Sequence, residues 1–79
     1  MELDLSKNQI SDHGVKILGP SLAVNKSLLH LNLDNNILHT YGCSALSKCL
    51  SMNTVLKELS LGGNKINNEG IALLGTFLN

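Results

Sequence analysis

The sequence predicts an α/β solenoid, a curved right-handed superhelix with parallel strands on its concave face and helices on its convex face. Three observations predict it. Residues 3–30, 31–58 and 59–79 align without a gap, so the 79-residue chain is about 2.8 copies of a 28-residue unit. Within each unit the apolar spacing changes from two to three and four, the change from strand period to helix period. Every connection has the same length, so strand–helix–strand units running one way must stack as a parallel sheet with crossover helices on one side.

The elements follow in order. Leu3 and Leu5, Leu31 and Leu33, and Leu59 and Leu61 alternate with polar residues and mark one short strand per unit. Asn8, Asn36 and Asn64 stand where each strand ends and an apolar residue would be expected. There the backbone runs out of ladder partners, and an amide with two donors and an acceptor is expected to serve the turn of its own and the adjacent unit as a structural ladder. Asp12, Thr40 and Asn68 precede the helical pattern and are expected to cap it with their side-chain oxygens. Gly14, Gly42 and Gly70 come two residues later, where the missing Cβ predicts close backbone approach between units. Val15/Cys43/Ile71, Leu18/Leu46/Leu74 and Leu22/Leu50/Leu78 form the buried helix face. Pro20 stands inside the first helix and is expected to kink or shorten it. Asn25/Asn53 and Leu28/Leu56 close the unit. Asn25-Lys26-Ser27 matches a glycosylation sequon, but the shared column with Asn53 favours a structural role in the loop.

The string L-x-x-L-x-L-x-x-N-x-L, present as Leu28-Leu31-Leu33-Asn36-Leu38 and as Leu56-Leu59-Leu61-Asn64-Ile66, is similar to the leucine-rich repeat. The unit length, with Gly14, Leu18 and Leu22 and their equivalents, resembles the ribonuclease-inhibitor-like subfamily, which includes the arrays of NOD-like receptors and Ran GTPase-activating protein. The resemblance implies a protein-interaction scaffold without naming a partner. Longer members have polar capping segments at both ends, whereas here Leu3 and Asn79 lie close to the two ends. Residues 1–79 are therefore expected to be a single segment of a longer array, or a unit that stacks with further repeats or another chain.

Composition narrows the function. The chain has a formal net charge of zero, all its basic residues are lysines, and aromatic residues make up only 3%. Without a basic excess or stacking residues, nucleic-acid binding is not expected. No apolar run approaches the ~20 residues that span a bilayer, and no basic segment leads into an apolar stretch at the N-terminus, so no membrane contact is expected. Cys43 and Cys49 are the only cysteines. Six residues apart on a helix they stand ~9 Å apart along the axis on different faces, which predicts two reduced thiols and a cytoplasmic setting. Cys43 is expected in the core and Cys49, in a column with Ser21 and Phe77, nearer the surface. No histidine lies at zinc-ligand spacing from either, so no metal or other cofactor is expected.

Function is then expected on the strand positions that alternate with the leucines: Glu2, Asp4 and Ser6; His30, Asn32 and Asp34; Glu58, Ser60 and Gly62. Four of the six acidic residues fall in this grid and no lysine does, which points to a protein partner with a basic surface. Three strands ~4.8 Å apart offer a strip on the order of 200 Å², against the ~800 Å² per partner of a typical specific interface. A purely structural spacer in a larger receptor is therefore the competing reading. A GTPase-activating protein is a remote third, since no arginine is present to act as a finger residue. Catalysis is not expected: His13, His30 and His39 occupy three different positions of the unit, and His30 meeting Glu2 or Glu58 across adjacent strands is the ordinary cross-strand polar pair.

Overall fold

A computed structural model describes residues 1–53 and 55–74. Each leucine pair fixes a three-residue strand and each run at helical spacing a helix. The order is β1 (Glu2–Asp4), α1 (Asp12–Val24), β2 (His30–Asn32), α2 (Thr40–Leu50), β3 (Glu58–Ser60) and α3 (Asn68–Leu73). The strands form one parallel sheet in the order β1-β2-β3. Leu3 faces Leu31 and Leu31 faces Leu59, so the sheet register is the sequence repeat itself. Pairing continues past the strands, with Leu5 N–H donating to Asn32 O and Leu33 N–H to Ser60 O, both at 2.8 Å.

The core draws on both element types. Leu28, Leu31, Leu33 and Leu38 from the strand side, Val15, Cys43, Leu46 and Leu50 from the helices, and Leu74 just after α3 are fully buried in one cluster. The helices thus cover one face of the sheet and leave the other to solvent. Among the described residues each helix lies beside the helix of the adjacent unit, α1 on α2 and α2 on α3, and each strand beside the strand of the adjacent unit, β1 on β2 and β2 on β3. The strand-to-helix turn is also repeated: Lys7, Asn35 and Gly63 hold the same place in successive units, with φ of 59°, 56° and 72°. A Cβ at Gly63 would collide with the Asn35 amide, so glycine meets both the steric and the torsional demand there.

Four sequence expectations need correction. Asp12, Thr40 and Asn68 are the first helical residues, not the caps, and the cap positions belong to Ser11, His39 and Asn67. Only Asn67 caps with its side chain, accepting from Gly70 N–H at 3.0 Å. Asp12 and Thr40 reach instead to the next unit: Asp12 Oδ1 accepts from His39 N–H at 2.8 Å, and Thr40 Oγ1 donates to Asn67 Oδ1 at 2.7 Å. Cap propensity records that an oxygen sits near orphan N–H groups without saying whose they are.

Pro20 does not shorten α1, which at 13 residues is the longest helix among the described residues. Its ring is exposed, and the carbonyl it leaves unpaired belongs to Lys16, also exposed, where water can serve it. The first-turn glycines make room for side chains and not for backbone: a Cβ on Gly70 would lie 2.6 Å from Ile66 Cγ2 and 3.2 Å from Cys43 Sγ. Ile71, expected in the core beside Val15 and Cys43, is exposed. Phe77, Leu78 and Asn79 lie outside the described residues.

Candidate functional site: the open face of the sheet

Because the leucines point toward the helices, their neighbours line up on the open face in rungs. One rung is Glu2–His30–Glu58 and the next Asp4–Asn32–Ser60. Together with Leu3, Leu31 and Leu59 at its floor, these residues line a hollow of about 450 Å³. Three of the four side chains that carry negative charge here, Glu2, Asp4 and Glu58, are exposed, and Asp34 is half-buried. Lys7, Lys16, Lys26, Lys48, Lys57 and Lys65 do not line the hollow.

Hydrogen bonds fix three of these four carboxylates. His30 Nδ1 donates to Glu58 Oε2 at 2.9 Å, and Glu2 flanks the same histidine from the other strand. With these side chains 38% and 63% exposed, the pair contributes only about 0–1 kcal/mol. Asp34 Oδ1 accepts from Ser60 Oγ and Gly62 N–H, both at 2.6 Å, tying the middle unit to the third. Asp4 Oδ1 accepts from Ser6 Oγ at 2.6 Å and Ser6 N–H at 2.9 Å. The Ser6 hydroxyl, then its backbone N–H, with help from the charge of Lys7, holds the Asp4 carboxyl below the usual carboxylate range. Asp4, Asp34 and Glu58 are thus held as fixed acceptors on this face.

The turn beside this face is held by amides. Asn36, 4% exposed, accepts at Oδ1 from Asn8 N–H and Ile10 N–H, both at 2.9 Å, and donates through Nδ2 to Leu33 O at 2.9 Å and Leu5 O at 3.0 Å. Asn64 repeats the pattern one unit on, accepting from Leu38 N–H at 3.1 Å and donating to Leu33 O at 2.9 Å. Asn8 is exposed and donates to Ser6 O at 3.1 Å. At the opposite turn, Asn53 Nδ2 donates to Leu22 O at 2.7 Å while its Oδ1 accepts from Val55 and Leu56 N–H at 2.8 Å. Asn25 uses its Oδ1 the same way on Ser27 and Leu28 N–H. Among the described residues no buried side-chain nitrogen or oxygen lacks a partner.

The remaining chemistry-bearing residues are scattered. His13 and His39 are exposed at two different helix starts, away from His30. Cys43 is fully buried, and burial, then the nearby Asp12 charge, pushes its thiol above the usual range. Among the described residues no group of three or more His, Cys, Asp or Glu side chains is placed to hold a metal ion. No helix among them is long and apolar enough to cross a membrane. The inter-unit bonds of Asp12, Thr40 and Asp34 carry no signal in the sequence, because nothing in the repeat alignment separates a bond within a unit from one between units.

Comparison with known families decides what this arrangement is. The leucine-rich repeat model matches residues 1–19 and 53–75, more than half of the chain. The chain belongs to the leucine-rich repeat family. Its β-α units and parallel sheet are the arrangement expected of leucine-rich repeats, which generally mediate protein–protein interaction and are typically not enzymes. Comparison with curated proteins returns no match.

Proposed function

We propose that this leucine-rich repeat chain is a protein-interaction scaffold whose open sheet face receives a partner with a basic surface. The observation that carries the reading is the register of the sheet, which gathers Glu2, Asp4, Asp34 and Glu58 beside one hollow with no lysine in its lining. Opposite charge on the partner would raise the encounter rate and fix its orientation, while an acidic surface would be repelled. The 28-residue offset between paired strands supports a curved solenoid of the ribonuclease-inhibitor-like subfamily with the strands on the concave side. Two free thiols, Cys43 and Cys49, support a reducing, cytoplasmic setting.

The test is binding of lysine- and arginine-rich peptides against glutamate-rich ones of equal length. Retention of the basic set, weakening with salt and lost in Asp34→Lys/Glu58→Lys, is expected. Equal retention of both sets, or binding indifferent to those changes, would dispose of the reading. The narrowness of a three-stranded face favours the spacer as a second reading; it predicts that the same double change alters no association at all.

A further inference from the structure

The helical side of the molecule carries apolar residues that the core does not use. A single exposed apolar side chain is ordinary on a protein surface, but a contiguous set marks a contact region. Val24 and Met52 hold the same place in successive units and are 70% and 68% exposed. Gly19 and Cys49 show where α1 meets α2, since a Cβ on Gly19 would collide with Cys49 Sγ. One step outward from that contact, the helical period brings up Lys16, Pro20 and Ala23 on α1, with Ala45 and, just past the last turn, Met52 on α2. These residues wall a groove floored by the half-buried Cys49. Both walls belong to described units, so neither end of the chain decides the exposure of the groove.

The next junction is built differently. In the middle unit the places of Lys16, Gly19, Pro20 and Ala23 are taken by Ser44, Ser47, Lys48 and Ser51. Three small or apolar residues at one junction thus become two serines and a lysine at the next. The core is shared by both junctions, so it does not account for the apolar character of the first.

Charge separates the two sides of the sheet. From Asp12 to Asn53 the helical side holds Lys16, Lys26 and Lys48, all exposed, and its only carboxylate is Asp12, whose Oδ1 accepts from His39 N–H. A ligand for this groove must bring apolar side chains to its floor and negative charge to its rim.

We infer that the groove between α1 and α2 takes an amphipathic helix of a partner protein, its apolar stripe bordered by aspartates and glutamates. The 13 residues of α1 span ~20 Å at ~1.5 Å each, room for about three to four turns of such a helix. Its anchors, spaced as i, i+3, i+4 and i+7, lie along Pro20, Ala23, Ala45 and Met52. The small size of three of these residues lets the incoming helix approach closely. Its carboxylates meet Lys16, Lys26 and Lys48 at the rim, where exposed charge sets orientation and encounter rate more than affinity. The groove lies across the sheet from the open face, so the inference is independent of the partner proposed there.

The test is titration of the purified chain against labelled helical peptides of ~14 residues that share one leucine stripe and differ in its border, glutamate or lysine. The glutamate-bordered peptide is expected to bind about ten-fold tighter, with the difference shrinking in high salt. Once bound it should shield Cys49 from iodoacetamide. Met52→Glu and Lys16→Glu, both at exposed positions and checked for folding by circular dichroism, should each weaken its binding by about ten-fold. Equal binding of the lysine-bordered peptide, equal binding of a scrambled glutamate peptide without the stripe, no binding of either, or an unshielded Cys49 would overturn the inference. So would a dimer of the chain, or its retention on phosphatidylserine vesicles, that Met52→Glu abolishes, because the groove would then serve a second copy or a lipid surface.

Discussion

Asn36 and Asn8 are the same residue at the same point of consecutive units, yet one is a hub and the other a bystander. Asn36 is buried and holds the backbone of two units, whereas Asn8 is exposed and bonds within its own turn. The same contrast runs through the leucines, with Leu33 fully buried and Leu5 half-buried. A repeat supplies each unit with the same parts, and a neighbour on both sides converts those parts into stability. The middle unit is therefore the keystone of the chain.

The largest break in that contrast is expected at the leucines. Leu33→Ala should lose about 2–5 kcal/mol, enough to unfold a domain of this size, whose margin is only a few kcal/mol. Leu5→Ala should lose clearly less, and equal losses in urea denaturation would erase the distinction between middle and outer units. Asn36→Leu comes next, at about 1–3 kcal/mol, because it strands the Asn8 and Ile10 N–H groups it now serves. Asn8→Leu, measured on dilute protein, should be near neutral; a near-zero change at Asn36 as well would refute the ladder.

The glycine column sharpens the comparison at smaller scale. Gly42→Ala drives a methyl into the Asp12 carboxylate that holds His39 N–H and should destabilise by about 1–3 kcal/mol. Gly14→Ala meets only the Ile10 Cγ2 methyl at 3.2 Å, a contact milder than that at Gly42, and the gain in helix propensity of about 0.5–1 kcal/mol should offset it. Thermal unfolding of the two variants separates them.

The thiols give a chemical version. Cys43 should resist iodoacetamide until the chain unfolds, and the half-buried Cys49 should react in the native state. An unfolded thiol loses its proton near 9.0, below the raised native value of Cys43. Stability from this group is thus complete below that pH and falls as pH rises above it. The smallest effect is at Asp4. Its native carboxyl is depressed, so its stabilising contribution is present above the ordinary 3.8 and is lost as pH falls below it. Ser6→Ala should bring its titration back toward 3.8, read by NMR, with little change in unfolding.

Much of this was legible in the sequence because the repeat and the sheet register are one quantity. Aligning Leu3 with Leu31 and Leu59 is the same operation as pairing the strands. The grid of open-face residues followed from alternation alone, and so did the placing of asparagines at the turn. What stayed hidden was partner choice. Asp12 and Thr40 are good cap residues, but their oxygens find groups in the next unit, at distances no local rule contains. Pro20 obeyed its local rule in losing a bond and escaped the consequence because the vacancy faces water. The column of Ile71 assigns it to the core, yet burial there depends on what stands beside the unit and not on the unit.

The neighbour-only packing also sets how the chain comes together. Hydrogen bonds between units join residues 26 to 31 positions apart, whether at the turn, on the open face or at the helix starts. No described helix or strand of the first unit touches one of the third, so no step of folding waits on the distant end of the chain. Loop closure is the same modest length each time, and a nucleus formed by any adjacent pair of units can extend to the other. Opening should run the opposite way, from the outside inward, and amide exchange should slow steadily from Leu5 and Leu61 toward Leu33.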